Sequence, residues 1–371
     1  MNKTVGIYVH IPFCLRKCFY CDFCSTAADA QTQTAYVDAL CQEIGEAAPC
    51  ARSVDTLFIG GGTPSILPPR AIESVLNALS RKYSFAEGCE VTIEANPATV
   101  TEEKAAAYRT LGITRVSIGA QSLCDRELSA LGRLHTARDV YECVEIFRRT
   151  GHHNLNLDLM YGIPFQTLVS FRQTLAAVEA LAPEHFSAYS LILEEGTALF
   201  AQRDKLLFPN ADEERAMYDE ACSFAARTGY RHYEISNYAK AGFESRHNLR
   251  YWKKEDYLAF GLAAHATFDS VRYAHTEKLS EYLAGARAPR ACEFLSEQEE
   301  DCERVILGLR TADGVPEALL LKVAGEEKSS FLARCEKEGY FSKKEGRLFL
   351  TEDGMYVSNA ILCELLPSSF S

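Results

Sequence analysis

Short apolar runs alternate with amphipathic segments through the first half of this 371-residue chain, and this alternation limits the folds that it can adopt. Six runs have the length of buried strands: residues 5–11, 56–59, 91–94, 115–118, 155–160 and 186–193. The segments between them have helical periodicity: residues 34–47, 69–83, 102–111, 136–150 and 169–181. Strands separated by helices pair in parallel, because parallel neighbours need a crossover connection. The pattern predicts an α/β fold built on an open, partial (β/α)6 barrel.

Polar or glycine-rich motifs follow five of the six predicted strands. They are a cysteine loop after the first strand and then the runs Gly60-Gly-Gly-Thr-Pro64, Glu94-Ala-Asn-Pro97, Gly119-Ala-Gln-Ser122 and Asp158-Leu-Met-Tyr-Gly-Ile-Pro164. In barrel-like α/β folds the carboxyl ends of the strands carry the active site. We therefore expect these motifs, which are far apart in sequence, to meet at one mouth.

The cysteine loop is the most specific of these motifs, since four of the chain's 14 cysteines fall within residues 14–24. Cys14, Cys18 and Cys21 have the spacing C-x3-C-x2-C. Three thiolates can hold three irons of a [4Fe–4S] cluster and leave the fourth iron open to a small molecule. Zinc would require four ligands from paired C-x2-C elements, and a disulfide framework suits a short secreted chain. We treat Cys24 as a non-ligand, because a fourth thiolate would close the open corner.

A cluster with an open iron, beside a glycine loop and carboxylates, suits S-adenosylmethionine. The amino and carboxylate groups of this molecule can chelate the open iron, and one-electron reduction of its sulfonium yields a 5′-deoxyadenosyl radical. The glycines of residues 60–62 lack side chains, so their backbone can approach the methionyl amine closely. Glu94 and Asp158 could accept hydrogen bonds from the ribose hydroxyls or the ammonium. Taken alone, either carboxylate could instead be a solvated side chain at the end of a strand.

The pattern of the chain changes after about residue 205, so we expect three parts. Residues 1–205 form the barrel with the cluster site, and residues 206–290 form an extension or linker. Residues 291–371 form a smaller, mainly helical C-terminal domain, in which residues 339–354 read as a hairpin or small wing. Such wings often bind DNA, but an acidic chain favours a lid or a partner-docking role.

Charge and hydropathy restrict the partners and the location. The chain has 39 basic and 51 acidic residues, a net charge of −12, and nucleic-acid binding needs a basic face, so we expect no nucleic-acid partner. No apolar stretch approaches the ~20 residues that span a bilayer, and we expect no signal peptide before the first strand. We expect a cytoplasmic protein, and the sequence leaves loose membrane association open.

The motifs together resemble the radical SAM superfamily, and within it the HemN/HemW group around oxygen-independent coproporphyrinogen III oxidase. The resemblance covers nearly the whole chain, with matching runs that begin at Tyr8, Phe58, Ile93, Ser117, Leu131 and Asp158. It implies a radical SAM partial barrel that binds a [4Fe–4S] cluster and S-adenosylmethionine. It also implies that eight residues contact this cofactor: Tyr8, Gly61, Gly62, Thr63, Glu94, Gln121, Arg133 and Asp158. Arg133 could pair with the methionyl carboxylate. Alternatively, it could be a surface arginine at the start of a helix.

Two departures separate the chain from the oxidase. Phe23 stands where the oxidase pattern has a further cysteine, and only seven residues precede Tyr8, where the oxidase has a substantial segment. Conversely, residues 247–252 match the H-N-x-x-Y-W signature of the HemW haem chaperones. This resemblance implies a chaperone that binds haem and delivers it to apo-haem acceptor proteins, without coproporphyrinogen oxidase activity. The alternative is the oxidase or another radical SAM tetrapyrrole enzyme.

The signature supplies three candidate haem contacts. A neutral imidazole such as that of His247 is a good ligand for haem iron, and Tyr251 and Trp252 could stack on the macrocycle. A histidine beside aromatic residues is more often structural, and Cys24 and the other eight histidines are rival axial ligands. Cleavage of S-adenosylmethionine would require a reductant such as flavodoxin or ferredoxin, which no motif identifies.

Overall fold

A sheet of twelve strands organises most of the protein. The structure, a computed structural model, describes residues 4–289 and 291–366. Its first six strands lie side by side in chain order and pair in parallel. They are β1 (Val5–Ile11), β2 (Val54–Gly61), β3 (Phe85–Ala95), β4 (Arg115–Gln121), β5 (Leu155–Tyr161) and β6 (His185–Ser190). Each corresponds to a predicted apolar run, so the α/β prediction is confirmed.

Helices fill the crossovers between these strands: α1 (Ala30–Glu46), α2 (Pro69–Lys82), α3 (Glu102–Thr110), α4 (Asp125–Ala130), α5 (Ala137–Arg149) and α6 (Leu168–Leu181). Their starts are encoded locally, since Thr136 and Thr167 cap α5 and α6 through capping boxes. Sequence periodicity predicts five of the six helices. It does not predict α4, because a helix of 6 residues is too short to show a repeat.

The strand β6 is shorter than the predicted run, which continues to residue 193. It ends at Ser190, beyond which the chain leaves the sheet. Leu191 and Leu193 pack instead against a separate cluster that contains Leu131 and Met160. The sequence therefore stays apolar beyond the strand because these two side chains are partly buried in that cluster.

Residues that follow α6 extend the parallel sheet at both edges. After α7 (Ala211–Thr228) come β7 (Arg231–Glu234), β8 (Asn237–Ala239), α8 (Arg246–Trp252), β9 (Tyr257–Phe260), β10 (His265–Phe268), β11 (Val271–Ala274), α9 (Leu279–Leu283) and β12 (Ala291–Phe294). The strand β8 pairs antiparallel with β6, and β7 lies outside it. At the other edge β9 pairs in parallel with β1, and β10 to β12 continue antiparallel. The barrel is therefore open, with β7 and β12 as its edges.

The C-terminal part is mainly helical and has its own hydrophobic core. Its elements are α10 (Glu297–Leu309), β13 (Val315–Pro316), α11 (Glu317–Ala324), α12 (Ser329–Lys337), β14 (Phe341–Lys344), β15 (Arg347–Leu350), α13 (Glu352–Tyr356) and α14 (Ser358–Leu365). The predicted hairpin is β14–β15, whose turn residues Glu345 and Gly346 both have positive φ, as a tight two-residue turn requires. Within the described ranges no helix is both long and apolar enough to cross a membrane.

Candidate metal centre and cofactor site

A cavity of about 450 Å³ lies at the carboxyl ends of β1 to β6. Residues from all five sequence motifs line it, so the structure brings these distant segments together. We call it the cysteine cavity after its three thiols. Ten of the residues predicted for the metal or the cofactor line it: Cys14, Cys18, Cys21, Gly61, Gly62, Thr63, Glu94, Gln121, Arg133 and Asp158.

The cysteine loop is held in place by backbone hydrogen bonds at both of its sides. The amide of Cys14 donates to the carbonyl of Thr26 (3.0 Å), and the amide of Thr26 donates to Pro12 (2.8 Å). On the other side the amide of Phe19 donates to the carbonyl of Leu131 (3.0 Å). The loop is thereby fixed between the end of β1 and the turn after α4, and its three half-buried thiols face one space.

Arg133 brings a positive charge to these thiols. Its Nη1 atom lies 3.5 Å from the sulfur of Cys18, and its Nη2 atom donates to the carbonyl of Gly119 (2.5 Å). The Nε atom is buried and has no hydrogen-bond partner among the described residues. Buried donors in native proteins normally have a partner, so this one is available to a ligand. Arg133 is therefore a cavity residue and not a surface arginine at a helix start.

The two carboxylates of the cavity differ in their surroundings. Glu94 accepts a hydrogen bond from the amide of Gly61 (2.9 Å), and burial together with the charge of Asp158 raises its pKa to about 8. Asp158 accepts hydrogen bonds from Ser117 (2.8 Å) and Asn156 (2.8 Å). Neither carboxylate is a freely solvated strand end. One holds a proton near neutral pH, whereas the other accepts hydrogen bonds from neighbouring side chains.

The glycines after β2 have a packing role that the sequence does not reveal. Gly61 has φ +112°, and a Cβ atom there would lie 2.5 Å from the His10 ring. A Cβ atom at Gly62 would lie 2.7 Å from the backbone oxygen of Phe13. Gly61 is therefore needed for the close packing of β2 on β1, and Gly62 for the packing of the chain that enters the cysteine loop. The close approach of a methionyl amine stays a prediction.

A polar network beneath the carboxylates was not predicted. The Nδ1 atom of His185 lies 2.6 Å from the Asn156 side-chain oxygen, and its Nε2 atom lies 2.8 Å from the Tyr233 hydroxyl. Asn156 in turn donates to Asp158. A signal was present in the sequence, since Asn156 and Asp158 alternate with leucines in β5 and so face one side of the sheet.

Tyr8 is the one predicted cofactor residue that does not line the cysteine cavity. It lines a second cavity of about 430 Å³, on the other side of Phe23, together with Cys24. The Tyr8 hydroxyl lies 3.0 Å from the Nδ1 atom of His10, and the Cys24 thiol donates to the carbonyl of Glu277 (3.5 Å). Cys24 therefore lines a different cavity from the other three cysteines of its loop.

The three predicted haem residues lie on α8, where His247 and Tyr251 contact each other. His247 is fully buried: its Nδ1 atom lies 2.9 Å from the Thr56 hydroxyl and its Nε2 atom 2.8 Å from the Tyr251 hydroxyl. Burial, with a smaller effect of the nearby Arg250, lowers the pKa of His247 to about 3. Both ring nitrogens of His247 are therefore engaged in hydrogen bonds, and its imidazole ring is neutral. Tyr251 lines the second cavity, whereas Trp252 lines neither cavity.

Comparisons with known proteins agree with this fold. Residues 8–178 match the Radical SAM superfamily. Coproporphyrinogen III oxidase (HemN) from Escherichia coli, a radical SAM enzyme, superposes with a TM-score of 0.84 at 23% identity, over 98% of this chain and 90% of that one. The fold is thus a radical SAM partial barrel, as the sequence predicts.

Curated relatives define the family more closely. Heme chaperone HemW from Lactococcus lactis is 31% identical over 99% of this chain and 98% of the relative. Heme chaperone HemW from Bacillus subtilis is 33% identical over 95% of this chain and 97% of the relative. The chain belongs to the HemW family of radical SAM proteins, and the family resemblance seen in its motifs is confirmed.

Proposed function

We propose that the protein is a haem chaperone, which binds haem and, with a [4Fe–4S] cluster and S-adenosylmethionine, delivers it to acceptor haem proteins. The observation that carries this proposal is the cysteine cavity, where three thiols meet a cation and two carboxylates, in a chain whose curated relatives are named heme chaperones. The proposal includes a cytoplasmic location and an electron donor of the flavodoxin or ferredoxin class.

The thiols of the cavity fit a cluster that keeps one iron open. Three cysteines of the described chain line the cavity, whereas the thiol of Cys24 lies in the second cavity. Cys14, Cys18 and Cys21 would hold the cluster. When bound, such a cluster supplies single electrons and one iron that a small molecule can reach. The arginine beside the thiols would offset part of the negative charge that three thiolates bring to the site.

The remaining groups of the cavity fit the polar parts of S-adenosylmethionine. The unpartnered Nε atom of Arg133 suits the methionyl carboxylate, because a guanidinium binds carboxylates strongly. Glu94 and Asp158 suit the ammonium and the ribose hydroxyls. Gln121 has φ +65°, which is rare for a residue other than glycine. Strain of this kind collects at ligand sites, and it supports a binding role for Gln121.

The cluster part of the proposal can be tested by iron and sulfide analysis. We expect anaerobically reconstituted protein to hold about four irons and four sulfides per chain, as a cubane cluster requires. The Cys18→Ser variant should lose most of this content. The Cys24→Ser variant is the matched control from the same loop and should retain it. Zinc in the purified protein, or equal iron loss in both variants, would contradict the proposal.

The haem part requires a transfer assay. Haem-loaded protein is mixed with an apo-cytochrome, and haem transfer is followed by the absorbance of the acceptor. Transfer supports the chaperone function, and failure to bind or to transfer haem would refute it.

A parallel incubation with coproporphyrinogen III, S-adenosylmethionine and a reductant tests the alternative function, that of a coproporphyrinogen III oxidase. Product formation there would favour the oxidase, whose fold this chain shares.

A further inference from the structure

We infer that the second cavity holds the haem and that His265 is its axial ligand. This inference rests on the proposed haem binding and adds the place and the ligand. The second cavity is lined by Tyr8, His10, Phe23, Cys24, Tyr251, Tyr257, Ala263, His265 and Glu277. We call it the aromatic cavity, because four of these nine side chains are tyrosine or phenylalanine rings.

The volume and lining of the aromatic cavity suit a largely apolar ligand with a flat aromatic ring system. Its volume of about 430 Å³ is in the range of small-molecule sites. Tyr251 and Tyr257 pack against each other with ring centroids 4.6 Å apart, and both reach the cavity. Phe23 is 64% exposed at the rim, so a bound macrocycle would cover an apolar ring that now faces solvent.

The hydrogen bonds of the nine histidines point to one of them as the free ligand. Seven have at least one ring nitrogen bonded to another described residue: His10, His135, His152, His185, His232, His247 and His275. His153 and His265 have neither nitrogen bonded within the described part of the chain, and both are exposed. His153 precedes β5 and lines neither the cysteine cavity nor the aromatic cavity, whereas His265 begins β10 and lines the aromatic cavity. Haem iron binds an imidazole nitrogen that is free to coordinate.

Two other groups in the aromatic cavity are poorer ligands. Both ring nitrogens of His10 are occupied, one by Tyr8 and one by the carbonyl of Cys24 at 3.0 Å. Burial and the charge of Glu277 raise the pKa of the Cys24 thiol, and iron binds the thiolate form. His265 is therefore the group of this cavity that needs the least rearrangement to bind iron.

Phe23 gives this inference a second support. Phe23 lines both cavities, so the cysteine cavity and the aromatic cavity adjoin at this residue. At this position the oxidase pattern has a cysteine. The departure that separates the chain from the oxidase thus coincides with a wall of the proposed haem site. Haem bound there would be a neighbour of the cluster loop and outside the cysteine cavity.

The test is a haemin titration of the anaerobically reconstituted full-length protein, followed by the Soret band. We expect His265→Ala to weaken haem binding by at least about tenfold. Even the mutation of a residue that only hydrogen-bonds to a metal ligand typically lowers metal affinity by about tenfold or more. His265→Cys should keep haem but change the Soret position and the spin state, since a thiolate replaces an imidazole. His153→Ala, the other exposed histidine with free nitrogens, should behave like wild type.

The outcomes separate this inference from the proposed function. Wild-type spectra and affinity in both His265 variants would overturn the inference and leave haem binding intact. A change confined to Cys24→Ser would overturn the assignment of the ligand. If the wild-type protein binds no haem, the proposed function itself fails. His265 is exposed, so its substitution should not unfold the protein, and circular dichroism of each variant verifies this.

Discussion

Arg133 shows how one residue can connect the metal and the cofactor parts of the site. Its guanidinium contacts the sulfur of Cys18 and the carbonyl of Gly119, and its Nε atom remains unpartnered. A lysine at this position would carry the same charge but only one nitrogen. An arginine can contact the Cys18 sulfur, the Gly119 carbonyl and a cofactor carboxylate through three different nitrogens, which the single nitrogen of a lysine cannot reproduce.

The first prediction concerns the guanidinium of Arg133. We expect Arg133→Lys to weaken the binding of S-adenosylmethionine by about tenfold, which corresponds to about 1.4 kcal/mol. Isothermal titration of the reconstituted protein measures the dissociation constant. Arg138→Lys is the control, because Arg138 forms only an exposed ion pair with Glu142. Equal affinity in wild type and Arg133→Lys would show that the guanidinium does not bind the cofactor.

A second prediction at the residue scale concerns Glu94. Its pKa is raised from 4.5 to about 8, so the folded state binds a proton that the unfolded state has released. Its contribution to stability therefore falls as the pH rises from about 4.5 to about 8 and is constant above that. Glu94→Gln removes the titrating carboxyl group and with it this loss of stability at higher pH. We expect the variant to gain stability over wild type between pH 5 and pH 8 in urea unfolding of the cluster-free protein.

The control for this prediction is Glu103→Gln, because Glu103 lies exposed on α3. This variant should not change the pH dependence of the free energy of unfolding. If Glu94→Gln instead gives the same pH dependence as wild type, the carboxyl group of Glu94 titrates as it does in water. Asp158→Asn should lower the pKa of Glu94 without restoring its ordinary value, since burial is the larger cause.

At the scale of elements, the close packing of β2 on β1 depends on a glycine. Gly61 combines a left-handed backbone with a close contact to His10, whereas Gly112 has φ +82° and nothing within 4 Å of a Cβ position. We expect Gly112→Ala to cost about 1 kcal/mol from backbone strain alone. Gly61→Ala should cost about 3 kcal/mol or more, because a clash is added to the strain.

Urea unfolding of the two variants measures this difference. The comparison isolates the contact with His10, since both positions have positive φ. A similar loss of stability in the two variants would show that the His10 ring moves away at little cost. In that case the glycines would be needed for their backbone conformation alone.

The elements that the sequence predicts are those with a local signal. The six parallel strands are apolar runs and the longer helices have a clear periodicity, so both could be read from residues 1–205. The strands β9 to β11 have 4 residues each, which is too short for a pattern. The pairing of β9 with β1 joins Tyr257 to Gly6 across 250 residues of sequence, and nothing local encodes it.

At the scale of the whole molecule, the motifs predict one cavity but not the other. The cysteine cavity follows from the rule that strand ends meet, so its residues could be named in advance. The aromatic cavity forms where the cysteine loop, β9, β10 and the segment around Glu277 come together. His265 carries no motif, and its role depends on which histidines the fold leaves without hydrogen bonds. Such a feature can be recognised only in three dimensions.

The proximity of the two cavities leads to a prediction for the whole molecule. The loop that carries the three thiols also carries Phe23 and Cys24, which line the aromatic cavity. A bound cluster would order this loop, so we expect haem to bind more weakly to the cluster-free protein. Haemin titrations before and after reconstitution measure the difference. Cys18→Ser, treated identically, controls for the reconstitution procedure and should show no gain in affinity.

The most direct test of the account is electron paramagnetic resonance of the reduced, reconstituted wild-type protein, recorded with and without S-adenosylmethionine. The account predicts a [4Fe–4S] signal that changes when S-adenosylmethionine is added, because one iron has no protein thiolate and can bind the added molecule. An unchanged signal, as expected for a cluster with four protein ligands, would contradict it.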